Sequence, residues 1–492
     1  MQREYWGSRA GFILAAVGSA IGLGNIWRFP YVAYENGGGA FLLPYFFALA
    51  TAGIPIVLLE YGIGHSQKGS APWSLRRLRE RWEWLGWFQA FICFAIVVYY
   101  AVIIAWALYF VFASFDLSWG SDADAYLFQT VLGASSGPGD LGGFQFNLLA
   151  AFLAVWLGIW LILSRGVQKG IERASLFMMP ILILLMVVIV IRGLTLPGAM
   201  DGLNLLLTPD FSALTNPSTW VAAYGQVFFS LSLAMGVMVT YSSYLPEKAE
   251  LNNSGLIMAL SNASFEFFAA LGVFSILGFM ALQASLPVEE VVTGGVGLAF
   301  VAFPTALSEM GSGVGAFVGV LFFSVLVMAG LTSAISMVEV VTAALNEKLG
   351  LARRVAVNWI VLLAAALGLV FVTGAGVHIL DIVDHYVNSL ALVGAGLVEV
   401  ILLAWFYGPE KIRAHNNRYA EIRLGQWWDL CLIIVTPLVL GATTLLNIFT
   451  DIRTPYGNYP EQALLVFGWL VPAVGLIFAL FMVRLRWQGE RS

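Results

Sequence analysis

Two apolar runs long enough to cross a bilayer are interrupted at mid-length by glycine and small hydroxyl residues. One break is Gly18-Ser19-Ala20-Ile21-Gly22-Leu23-Gly24-Asn25; the other is Ser230-Leu231-Ser232-Leu233-Ala234-Met235-Gly236. A break frees main-chain carbonyls and N–H groups at a depth where they are tolerated only if buried in protein or facing a cavity. Free carbonyls beside Ser, Thr and Asn side chains are the oxygen ligands that a hard cation prefers. Free N–H groups at the start of a half-helix attract a carboxylate. Two breaks at matching places in two halves of a chain predict a substrate and ion site near the membrane midplane. Four acids, Glu60, Glu266, Glu339 and Glu399, also fall in or near apolar spans, where carboxylates are costly and usually functional. Glu266 follows Asn262 by one helical turn, so the two share a face. Glu60, Glu339 and Glu399 read more simply as acids hydrogen-bonded to neighbouring helices.

The elements that must position these groups follow from composition. The chain has 492 residues, 60% hydrophobic and 11% charged, against about 25% charged in a soluble domain. This is a polytopic membrane protein. Runs of ~20 apolar residues number about twelve. The first should be retained, because the N-terminal residues lack the pattern of a cleavable signal. Nearly all of the 24 basic residues fall in alternate loops and at both ends; only Arg28, Arg192 and Arg453 lie elsewhere. That bias predicts an even span count with both termini cytoplasmic. The long outer connections 115–144 and 201–217 are expected to cap an entrance. Cys93 and Cys431 read as small buried hydrophobes. The net charge of −5, without basic clusters interleaved with aromatics, gives no sign of nucleic-acid binding. No G-x-x-x-x-G-K-[ST] loop exists to power an ATP-driven pump. His378, Asp381, Asp384 and His385 cluster near one helix end, but no nucleophile–base pattern accompanies them, so an enzyme is not expected.

The run Gly18–Pro30, with Asn25-Ile26-Trp27-Arg28-Phe29-Pro30 after the break, and then Glu35-Asn36-Gly37-Gly38-Gly39-Ala40-Phe41, resembles the opening of neurotransmitter:sodium symporters, a family that includes the bacterial leucine transporter. The resemblance continues in Gln226–Ser232, in Ala329-Gly330-Leu331-Thr332-Ser333-Ala334-Ile335 and in the tenth span, over nearly the whole chain. It implies an all-α polytopic fold of two inverted five-helix repeats plus two peripheral helices, with the first and sixth helices unwound. The first repeat would be residues 1–195, the second 215–408, and the peripheral spans and tail 425–492.

The same resemblance implies two sodium ions. One would be held by the Ala20 carbonyl, Asn25, Ser230 and Asn262, completed by the substrate carboxylate. The other would use Gly18, Ile21, Ala329, Thr332 and Ser333. Taken alone, Thr332 and Ser333 read as hydroxyls back-bonded to their own helix. The substrate carboxylate would meet N–H groups near Leu23 and Gly24 and the Tyr100 hydroxyl. Its side chain would lie among Ser19, Ile96, Phe229, Ser232, Met235, Ser333 and Met337, a neutral and adaptable pocket. Gly22 stands where amine-carrying relatives have aspartate, so the substrate should bring its own carboxylate. Leu23 stands where relatives taking ω-amino acids have glycine. Glu266 stands where chloride-dependent relatives have a chloride-binding serine; with Tyr45, Gln226 and Ser230 around it, it would replace chloride. Left unpaired when sodium departs, it would take a proton and carry it outward.

Arg28 and Asp384 would close the outer gate over Tyr100 and Phe229, and Arg3 with Glu347 the inner gate beside Trp6 and Tyr244. The expected activity is sodium-coupled, chloride-independent symport of neutral, hydrophobic α-amino acids. The rivals are symport of a betaine- or taurine-type carboxylate-bearing solute and a receptor that binds without moving its ligand. The short tails look bacterial, and the expected location is the plasma membrane.

Overall fold

The structure is a computed structural model and describes residues 4–488. Helices account for its ordered elements, and no strand forms among the described residues. The first span is a bent pair, α1 (Arg9–Ala20) and α2 (Gly24–Glu35), meeting at 53°. It is followed by α3 (Gly39–Gln67), α4 (Glu80–Ala113), α5 (Phe146–Leu163) and α6 (Val167–Leu194). A surface helix α7 (Ala199–Leu207) leads to a second broken pair, α8 (Pro217–Ser230) and α9 (Val237–Ser243). Then come α10 (Asn252–Ala284), the shorter α11 (Gly295–Glu309), α12 (Ser312–Leu349), α13 (Arg353–Val372) and α14 (Gly376–Tyr407). A short helix α15 (Pro409–Asn416) precedes α16 (Gln426–Asn458) and α17 (Glu461–Arg484).

Ten of these helices are long and apolar enough to cross a membrane, and the bent α1–α2 pair makes eleven. The sixth expected span is the α8–α9 pair. Its halves of 14 and 7 residues are each too short to cross alone, because the break consumes the middle of the run. Burial sorts the bundle. The most apolar stretch of α4 is 78% inside the protein, against 28% for α16 and 22% for α17. The last two helices are therefore peripheral.

Local chemistry sets the ends of the broken helices. The Ser8 side chain accepts from Gly11 N at 3.0 Å and starts α1; Asn216 accepts from Ser218 N with Pro217 at the first helical position of α8, both ordinary N-terminal devices. In the second break Ser232, Ala234 and Gly236 all have positive φ, at 52°, 59° and 70°. For the two non-glycine residues this costs ~1–3 kcal/mol each, so neighbouring groups must hold them there.

Close helix approach depends on glycine at Gly64 on α3. A Cβ there would lie 1.9 Å from the Val239 carbonyl of α9. Gly64→Ala is expected to destabilise the protein by about 1–3 kcal/mol through overpacking. Gly158→Ala, which meets open space, should change stability by less than about 0.5 kcal/mol. Thermal unfolding in detergent compares the two; equal midpoints would contradict the α3–α9 contact.

Candidate functional site

The two breaks face each other and α12. The Ser19 carbonyl on α1 accepts from Ser232 Oγ of the second break (3.2 Å) and from Ser333 Oγ of α12 (3.1 Å). Ala234 N donates to Glu60 Oε1 of α3 at 2.7 Å, which holds the left-handed turn. In the first break, Gly22 N donates to Asn25 Oδ1 (3.0 Å) and Leu23 N to the Tyr100 hydroxyl (3.0 Å). These bonds explain how the interrupted main chain survives in a membrane interior.

Between the breaks lies a cavity of about 380 Å³. The twelve residues singled out for a substrate pocket all line it: Ser19, Ala20, Leu23, Gly24, Ile96, Tyr100, Phe229, Ser230, Ser232, Met235, Ser333 and Met337. Two details refine this picture. The Ser19 hydroxyl is turned to Ser336 Oγ at 2.9 Å. The space before Gly22 is filled: a Cβ there would lie 3.0 Å from the Tyr100 oxygen and 3.2 Å from Ser333 Oγ. The cavity also takes in residues not assigned to the pocket, among them Tyr99, Val296, Asp381, His385, Asn388 and Tyr456. Four residues of α14, Asp381, Asp384, His385 and Asn388, recur at helical spacing, a signal present in the sequence. The connections 115–144 and 201–217, expected to cap the entrance, are absent from the lining; Gly295, Val296 and Tyr456 stand there instead.

At the floor of the first break runs a chain of buried side chains. Asn25 Nδ2 donates to Asn262 Oδ1 (2.7 Å), and Asn262 Nδ2 donates to Ser230 Oγ (2.5 Å). One turn on, Glu266 accepts from the Tyr45 hydroxyl and from Gln226 Nε2 (2.8 Å), and the Ser230 hydroxyl and the Arg28 charge also act on it. Three of the residues expected for one sodium ion, Asn25, Asn262 and Ser230, are thereby joined, and Ala20 lines the cavity with Asn25 and Ser230. Of those expected for the other ion, Gly18 packs against Thr332. A Cβ at Gly18 would come within 3.2 Å of Thr332 Cβ and 2.8 Å of Met179 Sδ, so glycine lets α1 reach α12. Thr332 donates back to the Met328 and Ala329 carbonyls, which leaves its oxygen lone pairs for a cation. Ile21 continues the last turn of α1 through its N–H to Val17 O.

The gates are differently made. Arg28 and Asp384 both line the cavity but form no ion pair. The guanidinium sits 4.7 Å from the Phe229 ring centre, a cation–π contact, and Phe229 in turn packs on Gly24. Asp384 accepts from the Tyr99 hydroxyl (2.7 Å) and Asn388 (2.8 Å). At the opposite end Arg3 lies outside the described residues. Glu347 accepts from Ser70 N and Oγ at 2.9 and 2.6 Å. In the same region Glu339 takes a two-pronged bond from Arg353 (2.9 and 2.5 Å) and one from Tyr244 (2.7 Å). Trp6 donates to the Tyr241 carbonyl at 2.8 Å and stacks edge-on with Tyr244. Sequence reasoning read Glu339 as a structural acid and missed Arg353, because the two lie on successive helices.

A family model for the sodium:neurotransmitter symporter family matches residues 3–127 and 118–490. The chain belongs to this family. It is a sodium-dependent symporter and not an enzyme. It is 43% identical to an uncharacterized sodium-dependent transporter of Methanocaldococcus jannaschii over 99% of this chain and 98% of that protein. It is 30% identical to the sodium- and chloride-dependent taurine transporter of Bos taurus, covering 97% of this chain and 83% of the relative. It is also 30% identical to the sodium- and chloride-dependent GABA transporter 2 of Mus musculus, over 98% and 85%.

If the symporter binds sodium through the Asn25–Asn262–Ser230 chain, Asn262→Ala removes its middle member. Loss of about 1–3 kcal/mol from a buried polar partner should raise the sodium concentration for half-maximal thermal stabilisation by roughly tenfold. An unchanged sodium titration would remove Asn262 from the site.

Proposed function

We propose that this symporter moves neutral, hydrophobic α-amino acids by alternating access, driven by two sodium ions and independent of chloride. The observation that carries the reading is the cavity between the breaks. Ile96, Phe229, Met235 and Met337 give it apolar walls, while the Leu23 and Gly24 region and Tyr100 offer polar groups suited to a carboxylate. An apolar cavity with a few convergent polar groups is the general form of a small-molecule site. The first ion takes the Ala20 carbonyl, Asn25, Ser230 and Asn262; the second takes Gly18, Ile21, Ala329, Thr332 and Ser333. Glu266 supplies the fixed negative charge that chloride supplies elsewhere. It takes a proton when the sodium site empties, so the return step carries a proton outward. The taurine and GABA relatives are named as sodium- and chloride-dependent, and the Methanocaldococcus jannaschii relative as sodium-dependent.

The repeats 1–195 and 215–408 pack as inverted halves, with 425–492 peripheral. Both termini face the cytoplasm and the protein sits in the plasma membrane, as its Lys and Arg distribution supports. A second reading, symport of a betaine- or taurine-type solute, is favoured by the taurine-transporter relatives. A receptor that does not transport would bind without accumulating.

Uptake of labelled amino acids, taurine and betaine into proteoliposomes tests the substrate. Accumulation of a hydrophobic amino acid under a sodium gradient, unchanged when gluconate replaces chloride, is expected. Accumulation of taurine or betaine alone would transfer the case to the second reading, and binding without accumulation would favour the receptor. Glu266→Ser should make transport chloride-dependent, by about tenfold or more between gluconate and chloride. That factor corresponds to ~1.4 kcal/mol. Indifference of this variant to chloride, with transport retained, would refute the role of Glu266.

A further inference from the structure

The segment that follows α17 carries a buried tryptophan. Trp487 is 2% exposed, and its ring meets Trp73 edge-on at 4.8 Å between centres. Its indole N–H donates to Glu83 Oε2 at 3.1 Å. Glu83 is itself buried, near the start of α4, where a carboxylate is held only by partners. Its Oε1 accepts from Lys348 Nζ at 2.5 Å and from Trp87 Nε1 at 3.0 Å, and Arg76 Nε lies 3.4 Å from Oε2. Lys348 is buried too, and its ammonium lies 4.5 Å from the Trp487 ring centre, a cation–π contact.

One carboxylate thus gathers the short helix Ala71–Leu78 through Arg76, α4 through Trp87, the end of α12 through Lys348, and the segment after α17 through Trp487. Glycines seat the same segments. A Cβ on Gly350, just past α12, would lie 1.7 Å from Gln488 Oε1, and one on Gly86 of α4 would lie 2.4 Å from Pro72 N. The neighbouring residues connect this cluster to the transport path. Ser70 precedes helix Ala71–Leu78 and donates to Glu347, which precedes Lys348. Ala71 lies against the second break: a Cβ on Gly236 would come within 2.8 Å of the Ala71 Cβ. Trp6, Tyr244, Glu339 and Glu347 are all absent from the cavity lining, so the cavity stops short of this end. A segment outside both proposed repeats therefore ties residues of the first to residues of the second.

We propose that Glu83 and Trp487 are positioning residues for transport: they clamp helix Ala71–Leu78 to the end of α12, keep Ser70 on Glu347, and hold this end of the path closed. The proposal rests on the alternating-access reading above. A contact made in only one of two arrangements sets the balance between them. Loosening the clamp should therefore open this end and close the other.

The test uses the full chain in nanodiscs with one reporter for each end. Ala343→Cys reports on this end, because Ala343 follows Glu339 by one turn of α12 and is 5% exposed. Val296→Cys reports on the opposite entrance, where Val296 lines the cavity. Cys93 and Cys431 are buried and set the background. The readout is the rate of modification by a water-soluble thiol reagent, in sodium and in potassium, with no transported solute required. Trp487→Ala should speed modification at position 343 roughly tenfold, the effect of losing a bond to a buried charge, and slow it at position 296. Glu83→Gln should act in the same directions. Trp487→Phe, which keeps a ring and loses the N–H, should do so by a smaller factor and guards against a fold too damaged to read. A purely structural role would speed both reporters; that outcome, or unchanged rates at position 343, overturns the proposal. Rates that ignore sodium at both ends of the unsubstituted protein would overturn alternating access, and the clamp with it.

Discussion

Everything in this protein depends on satisfying main-chain groups left open inside a membrane. A continuous helix bonds its own backbone; α1–α2 and α8–α9 do not, and lipid offers no replacement. The open groups are met by side chains from other elements. Ser232 and Ser333 share the Ser19 carbonyl, Glu60 takes the Ala234 N–H, Tyr100 takes the Leu23 N–H, and Asn25 takes the Gly22 N–H. The Asn25 bond closes the first break on itself, and each of the others ties a break to another element: α3, α4, α12 or the opposite break. The same bonds leave carbonyl and hydroxyl lone pairs directed into a small space. The structural remedy for the breaks and the means of holding a cation are therefore one arrangement.

The four membrane acids show how environment separates residues of one type. Glu60 serves the backbone of the second break, Glu399 is held by Gln89 at 2.7 Å, and Glu339 is neutralised by a guanidinium fork. A buried carboxylate facing Arg353 is paired, and breaking such a pair would leave a charge stranded at a cost of several kcal/mol. Glu266 differs in its company. Its donors are neutral, Tyr45 and Gln226, and it lies one helical turn after Asn262. A charge held by neutral dipoles beside a vacatable cation responds when that cation comes and goes, whereas a charge locked to arginine does not.

The sequence made the breaks, the spans and the pocket lining readable because each rests on local composition or on a long motif in register. Gly18, Gly22 and Gly24 were legible for the same reason, and the structure adds what each glycine admits: Thr332 and Met179, Tyr100 and Ser333, and Phe229. What could not be read are pairings between side chains on different helices. Arg353 with Glu339 and Tyr244, His65 with His415, and Tyr456 over His385 at 3.7 Å have no signature in spacing. The outer gate shows a second limit. A motif identifies Arg28 and Asp384 as partners, but whether they touch is a property of conformation, and here each has another partner.

The two ends of the transport path are accordingly in opposite conditions. At one end the Arg28 guanidinium lies over Phe229 and Asp384 is engaged by Tyr99 and Asn388, and the cavity extends past them to His385 and Tyr456. At the other end Trp6, Tyr244, Glu339 and Arg353 are joined by aromatic contacts and a buried ion pair. Ion-pair formation at the first end and separation at the second would exchange these conditions without altering the scaffold of α4 and α12. A ligand drives such an exchange only if it binds one arrangement better than the other. The breaks meet each other and Ser333 of α12, so a cation and a carboxylate bound between them would supply that difference by joining these helices. Either ligand alone completes only part of the contact set, and this incompleteness is the physical basis on which solute movement can be tied to sodium movement.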